Sequence, residues 1–256
     1  MDFFYKLPVE YSLGAFLIVA LLSSICIYML SHAAIKSRLK KPHERTGRVL
    51  FRTTASLLAL LLSFTFANQR VNYYKIKDAL ESEASQLVDI WLDLQLYGTP
   101  EALDLQEKVK HYIRVILHDE IDYKGENPLF GPPLGIFVML YNNIMELEPE
   151  NPKQEQLKQN LLVDVDEVSD FMQVRSYRSK PEPLVLIYIA TFGFIVSSIL
   201  FSVYKPDRIS ITFFTLYNAF VAIVLYFIIM MNNPLIGPLK IQNDPFKMIF
   251  EVASMN

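Results

Sequence analysis

One cysteine, Cys26, is all that the 256 residues contain. That excludes an intrachain disulfide and any cysteine-built metal site, and its place inside an apolar run makes it silent on redox compartment. A Gly-rich phosphate loop is missing, as are a nucleophile elbow and a His-x-x-x-His pair, and no spacing of Ser, His and Asp brings them together. The chain is therefore not expected to be an enzyme, and no catalytic residue and no cofactor are assigned. There is no internal repeat, no Gly/Ser linker, and no alternating apolar and polar run long enough to specify a strand. Acids and bases are absent from the middles of the long apolar runs, which speaks against proton- or cation-coupled transport.

What is present is apolar surface in concentrated form. Hydrophobic residues make up 52% of the chain and aromatics 13%. Stretches free of Asp, Glu, Lys and Arg run from Tyr11 to Ile35, Thr53 to Gln69, Pro183 to Tyr204 and Ile209 to Leu239. A helix crossing the hydrocarbon core needs roughly 20 apolar residues. Four transmembrane helices are accordingly expected, near 12–31, 49–68, 184–204 and 210–231, the second being the shortest. The first lacks an Ala-x-Ala cleavage site and reads as an uncleaved membrane helix.

Charge orients these spans. The connector HAAIKSRLKKPHERTGRVLFR carries seven bases against the single acid Glu44, a cytoplasmic signature for a short loop. It has no interleaved aromatics suited to base stacking, so nucleic acid is not an expected partner. Residues 68–183 hold 12 basic and 21 acidic side chains, a difference of -9. With an even number of spans, both termini and the middle segment are expected outside the cytoplasm, in a multi-pass protein of the inner or plasma membrane.

The middle segment reads as helical. Ile76, Leu80, Ala84, Leu87, Trp91 and Leu94 form an apolar stripe. Gly98 ends that helix, and Thr99-Pro100-Glu101 opens the next, whose apolar face is Leu105, Val109, Tyr112, Ile113 and Ile116. The stretch DYKGENPLFGPP is a loop. LGIFVMLYNNIMELE is too short to span and is expected as a buried or membrane-surface helix. Asn151-Pro152 opens a further helix with the stripe Leu157, Leu161, Val165, Val168, Phe171 and Met172. Between Leu57 and Trp91 no breaker occurs, so one helix of about 40 residues, roughly 60 Å long at 1.5 Å per residue, is expected to leave the membrane and continue into the middle domain. The fold class is thus all-α, with helical extramembrane residues 68–182 between spans at 1–67 and 183–231, and a tail at 232–256 bearing a short amphipathic helix.

His111, His118, Asp119, Glu120 and Asp122 offer metal-ligand chemistry, but their spacing matches no familiar site and reads as a helix end in solvent. DVDEVSD resembles a calcium loop in composition alone, without the required glycine. No metal is expected. On the second span, Ser56 and Ser63 lie seven apart beside Phe64, Thr65 and Phe66. Such residues can line a pore or pack between helices, as can Thr215 and Asn218 on the fourth.

The order of features resembles a family. LLALLLSFTFANQRVNYYKIKDALESEASQL, with Glu83-Ala84 in its polar half, is similar to the signature of the bestrophin-like family of bacterial membrane proteins, distantly related to bestrophin anion channels. That family pairs two spans, a helical middle domain and two further spans. NNPLIGPLKIQNDPFKMIF resembles its ending, in which the last span meets an Asp-Arg-Pro turn, a glycine and a second proline-phenylalanine. Asn232-Asn233 stands where Asp-Arg is usual, so an ion pair made there is not available to this chain. The resemblance marks Glu83, Asn232, Asn233, Pro234 and Gly237 as family-motif positions. It implies a homo-oligomer in the lipid bilayer passing an anion such as chloride, with span two lining the pore at Ser56, Ser63, Phe64, Thr65 and Phe66 and the two phenylalanines as an apolar neck. Bestrophins keep the helical domain in the cytosol, whereas the connector charge of this chain places it outside. The competing expectation is a non-conducting membrane scaffold or sensor whose acidic helical domain binds a partner protein or a cation.

Overall fold

A computed structural model of the chain describes residues 7–37, 41–118, 132–178, 185–235 and 237–255. Among them every regular element is an α-helix: α1 (Val9–Ile35), α2 (Lys41–Tyr97), α3 (Pro100–His118), α4 (Pro132–Met145), α5 (Pro152–Arg178), α6 (Val185–Phe201), α7 (Arg208–Met231) and α8 (Asp244–Met255). Three of them, α1, α2 and α7, are long and apolar enough to cross a membrane, while α6 is equally apolar but has 17 residues. Asp119, Glu120 and Asp122, the DYKGENPLFGPP loop up to Gly131, and the turn at 180–183 lie outside the described residues. Two compact units form, Met1–Tyr73 with Pro181–Lys240, and Tyr74–Lys180 with Ile241–Asn256.

The transition that the sequence places at residues 57–90 is continuous helix, and α2 begins earlier than the apolar pattern indicates, at Lys41. Its 57 residues absorb much of the basic connector. Pro42 near its start and Glu44 in its first turn both suit a helix N-terminus, and Glu44 meets Arg48 one turn on at 3.7 Å. Gly47 is tolerated inside the helix because Val203 occupies the place a Cβ would take.

In the first unit, Leu58 and Leu62 of α2 are buried against Ile187, Ala190 and Phe194 of α6 and Val221 and Leu225 of α7. Gly193 lets α6 approach within contact of Leu58. Polar contacts join the helices: Ser12 with Tyr226, and Ser198 with Asn218 at 3.5 Å. Asn218 also donates to the Phe214 carbonyl at 2.8 Å, so it serves packing. Large apolar side chains stand on the outward surface, Leu22, Leu57, Phe192, Phe213 and Phe220 among them, as suits helices in hydrocarbon.

The second unit has an ordinary apolar core. All six stripe residues from Ile76 to Leu94 are buried, as are Leu105, Val109, Tyr112, Ile113 and Ile116 of α3 and Leu157, Leu161, Val165, Val168 and Met172 of α5. Phe171 is half-buried. Helix α4 is a core helix, burying Phe137, Leu140 and Ile144. The caps form as the sequence predicts: Gly98 takes φ +75°, the Thr99 hydroxyl accepts from the Ala102 amide at 3.3 Å, and the Asn151 side chain accepts from the Gln154 amide at 3.0 Å. Helix α8 returns to this unit, where Phe246 is buried and Arg114 of α3 lies 5.5 Å from the Phe250 ring.

Candidate functional site

The spanning part of α2 presents two faces. Thr65 turns inward, buried, with its hydroxyl donating to the Leu61 carbonyl at 2.8 Å. Phe66 packs at the edge of the core. Ser56, Ser63 and Phe64 point away from the unit, and the Ser63 hydroxyl donates to the Ala59 carbonyl at 2.8 Å.

The outward surface itself divides. At 100° per residue, Arg45, Arg52, Ser56, Ala59, Ser63 and Arg70 fall within about 40° of one line along the helix, and all six are exposed. Leu57, Leu60, Phe64 and Val71, exposed as well, lie about 80° to 140° round from that line. The first arc is small and polar with an arginine toward each end; the second is what lipid contacts in a spanning helix. The sequence reading found Ser56 and Ser63 but missed Arg52, Ala59 and Arg70, although a helical projection of 45–70 carries the signal.

Where the family signature places Glu83, α2 carries a fully buried carboxylate. Arg175 of α5 clamps it, Nε to Oε2 at 2.9 Å and Nη2 to Oε1 at 3.2 Å, and the Tyr112 hydroxyl of α3 donates to Oε1 at 2.8 Å. Burial, reinforced by the Glu83 charge, pushes the Tyr112 hydroxyl well above its ordinary value. Burial works to lower the Arg175 pKa, but Glu83 and Tyr112 outweigh it, so the guanidinium is held more firmly charged than usual. The triad ties three helices together through charge-assisted bonds. Its partners were findable: Glu83, Tyr112 and Arg175 each occupy a stripe position of their helix, where an ionisable residue needs a partner.

The remaining motif positions form the turn after α7. Asn232 caps that helix and its side-chain oxygen accepts from the Gln69 amide of α2 at 3.4 Å, both residues buried. An amide pair thus stands where the family's charged residue would be. Asn233 follows with its amide directed to the Met230 carbonyl at 3.4 Å, Pro234 is buried, and Gly237 adopts φ +99°, which side chains rarely take.

Two acidic features lie in the second unit. A cleft of about 660 Å³ is lined by Glu101, Asp104, Glu146, Glu148 and Glu150, with Lys108 bound to Asp104 at 2.8 Å. Elsewhere Asp164 faces Asp93, Asp89 and Glu167; burial first, then these charges, raises its pKa to about 6. Among the described residues no group of three or more His, Cys, Asp or Glu is arranged to hold a metal ion.

Compared with known families, residues 17–246 match the model described as Bestrophin-like domain. A search of curated proteins finds no match.

Proposed function

The chain belongs to the bestrophin-like family, and from that premise we propose that it is a homo-oligomeric channel for a small anion such as chloride, with α2 lining the pore. The observation that carries this reading is the exposed stripe Arg52, Ser56, Ala59, Ser63 and Arg70. The Ser63 hydroxyl is satisfied within its own helix, but hydrocarbon does not solvate guanidinium groups such as Arg52 toward the end of the stripe, whereas water around a symmetry axis does. Copies arranged about that axis would surround a path of hydroxyls with cationic positions toward each end, a field that favours anions. Phe66, beside the stripe, is the better placed neck residue of the two phenylalanines.

Four spans complete the topology. At 1.5 Å per residue the 17 residues of α6 extend about 25 Å, near the roughly 30 Å core of a bilayer. The basic connector lies in the cytoplasm and the second unit outside it. Purified protein in chloride-loaded liposomes tests the activity. Flux that Phe66→Ala alters supports it; no flux at any voltage, from wild type and from Phe64→Ala and Phe66→Ala alike, sinks it.

A sensor or scaffold is the second reading. The acidic cleft favours it, with five carboxylates around 660 Å³ offering a basic peptide or a cation its complement. Deleting that charge, for instance with Glu146→Gln and Glu148→Gln, should abolish partner recovery from native membranes if the cleft is the working surface.

A further inference from the structure

We propose that the connector end of the first unit binds the phosphate headgroup of an anionic phospholipid. Three chain segments meet there. His32 near the end of α1 contacts the Ser202 carbonyl at 2.7 Å through Nδ1, the Tyr28 hydroxyl donates to the Tyr204 carbonyl at 3.1 Å, and Arg48 of α2 lies 5.3 Å from the centre of the Tyr204 ring. These contacts gather Lys36, Arg48, Lys205 and Arg208, all exposed, around one turn. The sequence reading assigns only the first two to a basic cluster, because the α6–α7 turn is distant in the chain.

The local acids offset this cluster only in part, Asp207 interacting with Lys205 and Glu44 with Arg48. Asp207 spends its carboxylate on the α7 N-terminus, accepting from the Ser210 amide at 2.7 Å, and that hydrogen bond holds its pKa below the usual carboxylate range. Glu44 reaches Arg48 at 3.7 Å across an exposed gap. Among the described residues Lys36, Lys205 and Arg208 have no ion-pair partner within 4 Å.

Under the basic turn the rings of Tyr28, Phe51, Phe201 and Phe214 pack into an inward core, Tyr28 with Phe214 at 4.9 Å and Phe51 with Phe201 at 5.1 Å, which fixes the turn in place. One observation selects a lipid over free phosphate. Beside the bases the helices expose Leu30, Ile209 and Phe213, an apolar flank that acyl chains cover and a free ion does not. The site uses the end of α1, the α6–α7 turn and Arg48 of α2, so it stands whether or not the protein conducts.

The test uses the full chain in detergent, offered phosphatidylglycerol or phosphatidylcholine, with retained lipid counted by native mass spectrometry. Wild type should prefer phosphatidylglycerol. Each charge removed should weaken that preference about fivefold, so Arg48→Gln with Lys205→Gln loses roughly twenty-five-fold. Lys75→Gln with Lys153→Gln, which removes the same charge from the second unit, should lose nothing. Equal retention of the two lipids by wild type overturns the proposal, as does equal loss in the control pair. Displacement of phosphatidylglycerol by millimolar inorganic phosphate overturns the lipid assignment. Should the first pair not fold, the wild-type preference must fall between about 0.1 and 1 M salt; a preference indifferent to salt overturns the proposal equally.

Discussion

Arg175 and Glu83, 92 residues apart, form a two-point ion pair from which solvent is excluded, with side chains 2% and 0% exposed. A buried pair of this kind is not in itself strongly stabilising, because desolvation of both ions offsets their attraction. Breaking it is another matter. Arg175→Met strands the Glu83 carboxylate and should cost about 3 to 5 kcal/mol, whereas Arg175→Met with Glu83→Leu should recover most of that loss. Tyr112→Phe removes one hydrogen bond to a charged group and should cost about 1.5 to 3 kcal/mol. Denaturant unfolding of the full chain in detergent, followed by the lone Trp91 in the core of that unit, compares the four proteins. A double variant as unstable as Arg175→Met would show that packing, and not the stranded charge, accounts for the loss.

Asp164 gives the second unit a pH dependence of definite sign. Its folded pKa, about 6 against an ordinary 3.8, means the folded state holds the proton more tightly than the unfolded chain. The stabilising contribution is therefore complete below about pH 3.8 and is lost as pH rises through about 6. The slope is shallow because Asp164 is only half-buried and water screens its neighbours. Asp164→Asn should flatten stability between pH 4 and 6 and raise it at pH 7. Unfolding midpoints of wild type and variant at pH 4.5, 5.5 and 7 decide it; parallel curves would assign the repulsion elsewhere.

Much of this architecture was legible because periodicity and caps are local. The stripe from Ile76 to Leu94, the Gly98 stop and the Thr99 and Asn151 caps all follow from neighbours within a turn or two. The start of α2 was not, since Arg45 and Arg48 read as a topology signal while serving equally well as helix formers. Nor was the cleft, whose walls at 99–108 and 143–150 meet only through the packing of α3 on α4. Glu83 lay between these cases. Its position on an apolar stripe announced a partner, but Arg175 becomes that partner only once α2 and α5 are side by side.

Gly47 makes a prediction about close approach. A Cβ there would overlap the branched side chain of Val203, which has no flexible end to move aside. Gly47→Ala should destabilise the first unit by about 1 to 3 kcal/mol by overpacking, despite the better helix propensity of alanine. Adding Val203→Ala should restore stability, a coupling that a double-mutant cycle measures directly. Additive effects would place the strain away from this contact.

The proposed orientation rests on the charge of the connector. In a Cys26→Ser background, Leu103→Cys places a thiol at an exposed position of α3. An impermeant thiol reagent should label it in intact cells, and a cysteine at Arg45 only after the membrane is broken. The reverse pattern would put the second unit in the cytosol, as in bestrophins.

The division of α2 into two exposed arcs yields a test that does not depend on knowing the conducted ion beforehand. Cysteines at Ser56, Ala59 and Ser63 share the polar arc, while those at Leu57, Leu60 and Phe64 share the apolar one. Thiolate chemistry requires water, since the thiolate is the reacting species and hydrocarbon disfavours it. If the polar arc lines an aqueous path, a charged thiol reagent should modify the first three quickly, each with a change in flux, and leave the second three nearly untouched. Reactivity would then recur every three to four residues, the helical period, with its maximum on the line through Arg52. Reaction at all six positions would mean that α2 faces water on both arcs. Reaction at none would make the polar arc a helix-packing surface, where small residues let neighbouring copies approach, and the channel would need another wall.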